Sequence, residues 1–126
     1  MKLKSAAGYN CYVKNVQKSV AFYEMLGFQP DKGDDRHASV RLNWFWIDFI
    51  AQDKETRDAF QHEVTATDRG AGILMYLSVD DVKEAYQELL TQGVQPESEP
   101  YDWAGNREFV IRDPDGYRLV IFKRKK

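Results

Sequence analysis

The chain has 126 residues, of which 43% are hydrophobic and 30% charged, with a formal net charge of −2. This composition is typical of one globular domain and argues against a disordered chain. It also argues against a nucleic-acid partner, which needs a basic surface, and no apolar run is long enough to cross a membrane. The single cysteine, Cys11, excludes an internal disulfide and, with no signal peptide over residues 1–7, indicates a cytoplasmic protein.

The first half of the chain begins with a predicted strand over 9–13, where polar and apolar side chains alternate. Asn15 predicts the start of a helix, because its side-chain oxygen can accept from a free amide of the first turn. Gly27 predicts its end, where a left-handed residue is favoured. Apolar stretches at 38–42 and 45–51 predict strands, which completes a first module over about 5–51.

A polar connector follows over 52–72, with one short helical turn predicted around 57–61. Connectors of this length are unusual in compact domains unless they have a function.

The second half repeats the first after 66 residues, because the pattern of residues 13–27 returns at 79–93 without a gap. Asp81 takes the place of Asn15, and Gly93 takes the place of Gly27. Strands are predicted over 73–79, 108–111 and 118–122, with a turn at 113–116 whose Asp, Pro and Gly suit a hairpin. The repeat predicts two βαβββ modules in one α+β domain, the second over 73–126. The sequence leaves open whether they pair within one chain or between two.

Several motifs resemble the vicinal oxygen chelate superfamily, which groups glyoxalase I, bleomycin resistance proteins and extradiol dioxygenases. They are Val13-x-Asn15-Val16-x-x-Ser19-x-x-Phe22-Tyr23-x-x-Leu26-Gly27-Phe28, Val79-x-Asp81-Val82-x-x-Ala85-Tyr86, Gly105-x-Arg107-Glu108-Phe109 and Asp113-Pro114-Asp115-Gly116-Tyr117. The resemblance implies eight strands that form an open, barrel-like cleft with the helices outside. The segment over 103–114 is most similar to the bleomycin-resistance branch, whose members are homodimers that sequester a drug without a metal.

The resemblance also implies four metal-ligand points, one on the first strand and one on the last strand of each half. Here these points are Gly8, Asp48, Leu74 and Val120. A divalent metal needs several donor side chains, and only Asp48 has one. Neither histidine, His37 or His62, lies at these points. We therefore expect no metal and no other cofactor.

Strand alternation predicts which side chains face the cleft. Trp44, Trp46, Asp48 and Ile50 are expected to share the inward face of the fourth strand, and Trp103 is expected in a loop at the cleft mouth. The candidate ligand-binding residues are Trp44, Trp46, Asp48, Tyr76, Trp103, Arg107 and Phe109. Core packing is an equal alternative for Trp44 and Trp46, and a surface role is an equal alternative for Arg107.

An aromatic cleft with few polar groups is typical of a ligand pocket, and a desolvated Asp48 would favour a cationic ligand. The leading hypothesis is a metal-independent, homodimeric protein that binds a small molecule such as a bleomycin-like or other planar, cationic compound. The alternatives are a metal-dependent enzyme of the superfamily, a glyoxalase-like lyase or a dioxygenase, and an interaction module with a filled cleft.

Overall fold

The computed structural model describes residues 1–55, 57, 60 and 62–125. The chain divides into two compact units, residues 1–69 and 70–126. Each unit is a four-stranded sheet with a helix on one face, so the α+β class and the two βαβββ modules are confirmed.

The first unit contains four strands and one helix in chain order. They are β1 (Gly8–Val13), α1 (Val16–Leu26), β2 (Gln29–Gly33), β3 (His37–Leu42) and β4 (Phe45–Ala51). The strand order is β1-β4-β3-β2, with β1 parallel to β4 and the other pairs antiparallel. The connector contributes two 3₁₀ turns, Gln52–Lys54 and Glu63–Thr65. Most of the helical turn predicted around 57–61 lies outside the described residues.

The second unit repeats this arrangement. Its elements are β5 (Met75–Ser78), α2 (Val82–Thr91), β6 (Tyr101–Trp103), β7 (Asn106–Arg112) and β8 (Arg118–Arg124). The strand order is β5-β8-β7-β6, and β5 is parallel to β8. Neither described helix is long and apolar enough to span a bilayer.

The helix caps confirm the register of the repeat, because the two helices begin 66 residues apart, at Val16 and Val82. Asn15 Oδ1 accepts from the Lys18 amide at 3.0 Å, and Asp81 Oδ1 accepts from the Glu84 amide at 2.9 Å. Gly27 ends α1 at φ 116°, a left-handed conformation that favours glycine.

Each helix packs on one face of its own sheet. Tyr23 of α1 is buried against Phe28 and Phe49, with ring centroids 5.4 and 4.9 Å away. In the second unit, Tyr86 of α2 packs edge-on against Phe109 at 5.3 Å. Burial of these rings and of their aliphatic neighbours supplies the main stabilisation of each unit.

Two strands and one turn differ from the sequence prediction. Trp44 was predicted on the fourth strand but lies in the two-residue turn between β3 and β4, where its neighbour Asn43 has φ 56°. Trp103 was predicted in a loop but ends the short strand β6. Strand β2, with the sequence Gln-Pro-Asp-Lys-Gly, had no assigned position.

The predicted turn at 113–116 lies between β7 and β8. Asp113 Oδ1 accepts from the amides of Asp115 and Tyr117, each at 2.9 Å, and Gly116 has φ 93°. Asp113 is buried, so its carboxylate serves the turn, as the sequence indicated.

Candidate functional site

The face of the first sheet opposite α1, here called the first open face, carries the half-buried side chains of β4. Ile47 and Phe49 point toward the helix and are fully buried, whereas Trp46, Asp48 and Ile50 alternate with them and are partly exposed. The predicted alternation of β4 is therefore correct from residue 46 onward. The structure brings Trp46 and Asp48 together on one surface.

Asp48 is the centre of a polar cluster on this face. The β-sheet register places Asn10 of β1 on one side of Asp48 and Ser39 of β3 on the other. The Ser39 hydroxyl donates to Asp48 Oδ1, and His37 Nε2 lies 3.3 Å from Asp48 Oδ2. The Asp48 side chain is 22% exposed, so its carboxylate is accessible at the surface while partly desolvated. We call His37, Ser39 and Asp48 the Asp48 cluster.

Sequence reasoning missed His37 and Ser39 as members of this cluster. The signal was present, because a two-residue turn at 43–44 pairs Leu42 with Phe45 and therefore Ser39 with Asp48. The predicted strands over 38–42 and 45–51 leave residues 43–44 for this turn and therefore imply this register.

The Asp48 cluster does not have the geometry of a nucleophilic triad. Such a triad needs a serine hydroxyl bonded to the histidine that removes its proton. Here Ser39 donates to the Asp48 carboxylate, and His37 also faces that carboxylate. The arrangement can hold a polar or cationic group, but it does not activate Ser39 through His37.

Gly8 and Trp46 are in close contact on the same face. They are opposite each other in the β1–β4 pairing, and the Trp46 amide donates to the Ala7 carbonyl at 3.2 Å. A Cβ atom at position 8 would lie 2.8 Å from Trp46 Cε2 and closer still to Trp46 Cδ2 and its carbonyl oxygen. The indole ring of Trp46 therefore occupies the space that a side chain at position 8 would need.

The residues present do not fit a divalent metal at the points that the family resemblance implies. In the first unit, Gly8 has no side chain, which leaves Asp48 alone. In the second unit, Leu74 precedes β5 and the fully buried Val120 lies opposite Tyr76, and neither offers a donor atom. Within the described residues, no three His, Cys, Asp or Glu side chains converge.

At the connector end of the first open face lies a hydrogen-bonded group of Tyr12, Glu55 and Arg57. Glu55 is buried and accepts from the Tyr12 hydroxyl at 2.9 Å and from Arg57 Nε at 2.7 Å. Arg69 donates to the Tyr12 carbonyl at 3.1 Å. The hydrogen bond from Arg57 lowers the pKa of Glu55 to about 2 against the opposing effect of desolvation. These bonds fasten the connector to β1.

The second sheet has an equivalent open face, opposite α2, with Tyr76 and Trp103 on it. Tyr76 packs edge-on against Phe122 at 5.2 Å, and Trp103 lies opposite Asn106 in the β6–β7 pairing and is 60% exposed. Arg107 and Phe109 alternate with Asn106 and point to the helix side.

Two predicted site residues are therefore not on the open faces. Phe109 is fully buried against Tyr86, and Arg107 is bonded to Asp102 at 3.2 Å. Arg107 instead lines a basic groove of about 650 Å³ with Lys83, Lys123 and the start of α2. We do not retain Phe109 in the proposed site, because a residue without accessible surface cannot contact a ligand.

A comparison with protein families matched the chain over residues 6–121 to the Glyoxalase/Bleomycin resistance protein/Dioxygenase superfamily. No curated protein sequence gave a significant match.

Solved structures share the fold at low sequence identity. A virulence protein from Salmonella typhimurium is 18% identical, with 98% of this chain and 99% of that chain covered and a TM-score of 0.77. A lactoylglutathione lyase from Agrobacterium tumefaciens is 17% identical, with 96% and 94% covered and a TM-score of 0.74. A superfamily member from Sphaerobacter thermophilus is 20% identical, with 95% and 97% covered and a TM-score of 0.72. At these identities the likeness shows the fold alone.

The contact between Gly8 and Trp46 predicts that Gly8→Ala destabilises the protein. The added methyl group must displace the Trp46 ring or backbone, which costs about 1–3 kcal/mol. Urea unfolding should show a lower midpoint, and tryptophan emission of the folded variant should shift. The neighbouring Ala7→Ser, at an exposed side chain, should change neither; an unchanged Gly8→Ala variant would contradict the contact.

The lowered pKa of Glu55 predicts a pH dependence of stability. In the unfolded chain this pKa returns to near 4.5, so the stabilising effect of ionised Glu55 is complete above pH 4.5 and is lost as the pH falls toward about 2. Urea unfolding across this range should give a shallower loss of unfolding free energy in Glu55→Gln than in the wild type. The exposed control Glu63→Gln should retain the wild-type slope, and parallel curves for wild type and Glu55→Gln would contradict the assignment.

Proposed function

The chain belongs to the Glyoxalase/Bleomycin resistance protein/Dioxygenase superfamily, and from this premise we propose that it is a metal-independent protein that binds a small organic molecule against the first open face. The observation that carries this proposal is the contact of the Trp46 ring with Gly8. The contact fills the space at position 8, and since Leu74 and Val120 also offer no donor atom, Asp48 is the single donor among the four points that the resemblance implies. Binding without a resident metal agrees with that donor set.

The chemistry of the first open face favours a planar ligand with a positive group. Trp46 offers a partly exposed aromatic surface, and planar ligands stack on such rings. Beside it, the Asp48 carboxylate is partly desolvated, which strengthens its attraction for a cation. A bleomycin-like compound combines planar and cationic parts, so we include the bleomycin-resistance type of sequestration in the proposal.

We also propose a homodimer that acts in the cytoplasm. Several large apolar side chains are exposed on the single chain, among them Trp44 at 69% and Ile73 at 66%. Such side chains are enriched at interfaces between subunits. Cys11 is buried and is the single cysteine of the sequence, which agrees with a reducing compartment.

A metal-dependent lyase is the second candidate. The observation in its favour is the distance of 3.3 Å between His37 Nε2 and Asp48 Oδ2, which places a nitrogen and an oxygen donor side by side. Two protein donors fall short of the three that catalytic metal sites usually have. We therefore favour binding over catalysis.

A ligand titration tests the proposal. Metal-free bleomycin added to the purified protein should change tryptophan emission saturably, and light scattering of the same sample should give twice the mass of one chain. Asp48→Asn should weaken binding by about ten- to a hundredfold, because a hydrogen bond to a charged group contributes roughly 1.5–3 kcal/mol.

The matched control is Asp35→Asn, which removes the same charge from an exposed loop position between β2 and β3 and should bind as the wild type does. Absence of any response to bleomycin and to other planar cations would contradict the proposal. Equal weakening in both variants would show that net charge, not the Asp48 cluster, governs binding.

A further inference from the structure

The open face of the second sheet, here called the second open face, carries a buried carboxylate that has no cationic partner among the described residues. Glu108 is 3% exposed, and its partners are the Tyr101 hydroxyl at 3.0 Å and the Asn106 Nδ2 amide at 3.4 Å. Both partners are neutral donors. In the part of the chain that the structure describes, no lysine, arginine or histidine forms an ion pair with it. An ionised carboxylate that is buried with neutral partners alone destabilises the protein unless a positive group neutralises it.

Asn106 adds an unsatisfied acceptor beside this carboxylate. Its amide nitrogen must face Glu108, because a carboxylate only accepts hydrogen bonds. The side-chain oxygen Oδ1 then points elsewhere and has no hydrogen-bond partner among the residues that the structure describes, although Asn106 is only 6% exposed. Buried polar atoms are normally satisfied, so an unpaired one marks a place where a donor is missing.

Aromatic rings surround these two acceptors. The strand register puts Tyr101, Glu108 and Phe122 in one row, and Tyr76 packs against Phe122 at 5.2 Å. Tyr76 and Tyr101 are 38% and 36% exposed, so the row has an accessible aromatic rim. Aromatic faces attract organic cations.

Two of the three arginines on the same face are already neutralised, and the third, Arg124, is exposed and lies opposite Asn106. Arg112 and Arg118 are opposite each other at the far end of the β7–β8 pairing, and both donate to Glu97, at 2.7 and 3.0 Å. They do not face Glu108. Arg124 forms no ion pair with Glu108 either, so no arginine of this face in the described residues supplies the charge that Glu108 lacks.

From these contacts we infer that Glu108, Asn106 and the rim of Tyr76 and Tyr101 form a binding site for an organic cation with several N–H donors, an amidinium or guanidinium group. One N–H donates to Glu108 and another to Asn106 Oδ1, while the planar group lies against the tyrosine rings. This site lies wholly in the second unit and does not rest on the site proposed for the first open face.

The test compares benzamidine with benzamide, its neutral analogue of nearly the same shape, on ¹⁵N-labelled full-length protein. Benzamidine should shift the side-chain amide signals of Asn106 and the backbone amides of residues 106–108, and benzamide should bind about tenfold more weakly. Glu108→Gln, which keeps an acceptor for Tyr101, should weaken benzamidine binding by about the same factor. Glu97→Gln, which changes a carboxylate in the loop between α2 and β6 outside the site, should leave it unchanged.

The unliganded stability of Glu108→Gln is the second readout. The buried charge of Glu108 is not neutralised in the unliganded protein and destabilises it. Glu108→Gln removes this charge, so the variant should unfold at the same temperature as the wild type or higher. A clear fall in its unfolding temperature would instead make Glu108 a structural group and overturn the inference.

The ligand experiment can also overturn the inference independently of that variant. Equal binding of benzamidine and benzamide, or no shift of the Asn106 signals, would do so in the wild type alone. Shifts confined to the first open face would overturn this inference and leave the proposed function intact. Binding at Glu108 with no ligand on the first open face would support this inference and contradict the proposed function.

Discussion

The contact between Trp46 and Gly8 determines what the first open face can do. Parallel pairing of β1 with β4 sets these residues opposite each other, and the absence of a side chain at position 8 lets the indole ring lie against the backbone. Two consequences follow from this one contact. The ring presents an aromatic surface next to Asp48, and the first strand loses the position from which a metal ligand would project.

The repeat gives the two open faces the same framework but different chemistry. His37 lies opposite Ile50 in the first sheet, and Glu108 lies opposite Phe122 at the equivalent place in the second. His37 is paired with the Asp48 carboxylate of its own sheet, whereas the partners of Glu108 within the described part of the chain are neutral. A duplicated fold has thus placed a satisfied polar cluster on one sheet and an uncompensated carboxylate on the other. This difference is why the two faces are expected to hold different groups.

Local sequence signals predicted the features that depend on local physics. The caps Asn15 and Asp81, the left-handed Gly27 and the turn at Asp113 each act within a few residues, and the structure has all of them.

Strand β2 could not be located, because its five residues are all exposed and its pairing with β3 alone makes it a strand. The Asp48 cluster depends on the antiparallel pairing of β3 with β4, which brings His37 and Ser39 to Asp48 from a distant part of the chain, and local signals do not show such a contact. Phe109 was predicted to contact a ligand but is buried against Tyr86. An aromatic residue on a strand is equally suited to the core and to a ligand pocket, so its residue type could not distinguish them.

The metal content of the purified chain is the most direct test of this account. The protein should be produced in medium supplemented with zinc, nickel, manganese and iron, passed through gel filtration and analysed by mass spectrometry of its elements. Because Gly8, Leu74 and Val120 offer no donor atoms, every metal should be present far below one ion per chain. One tightly held ion per chain of any of these metals would contradict the account, because the chain would then bind a metal although three of the four implied positions lack a donor atom.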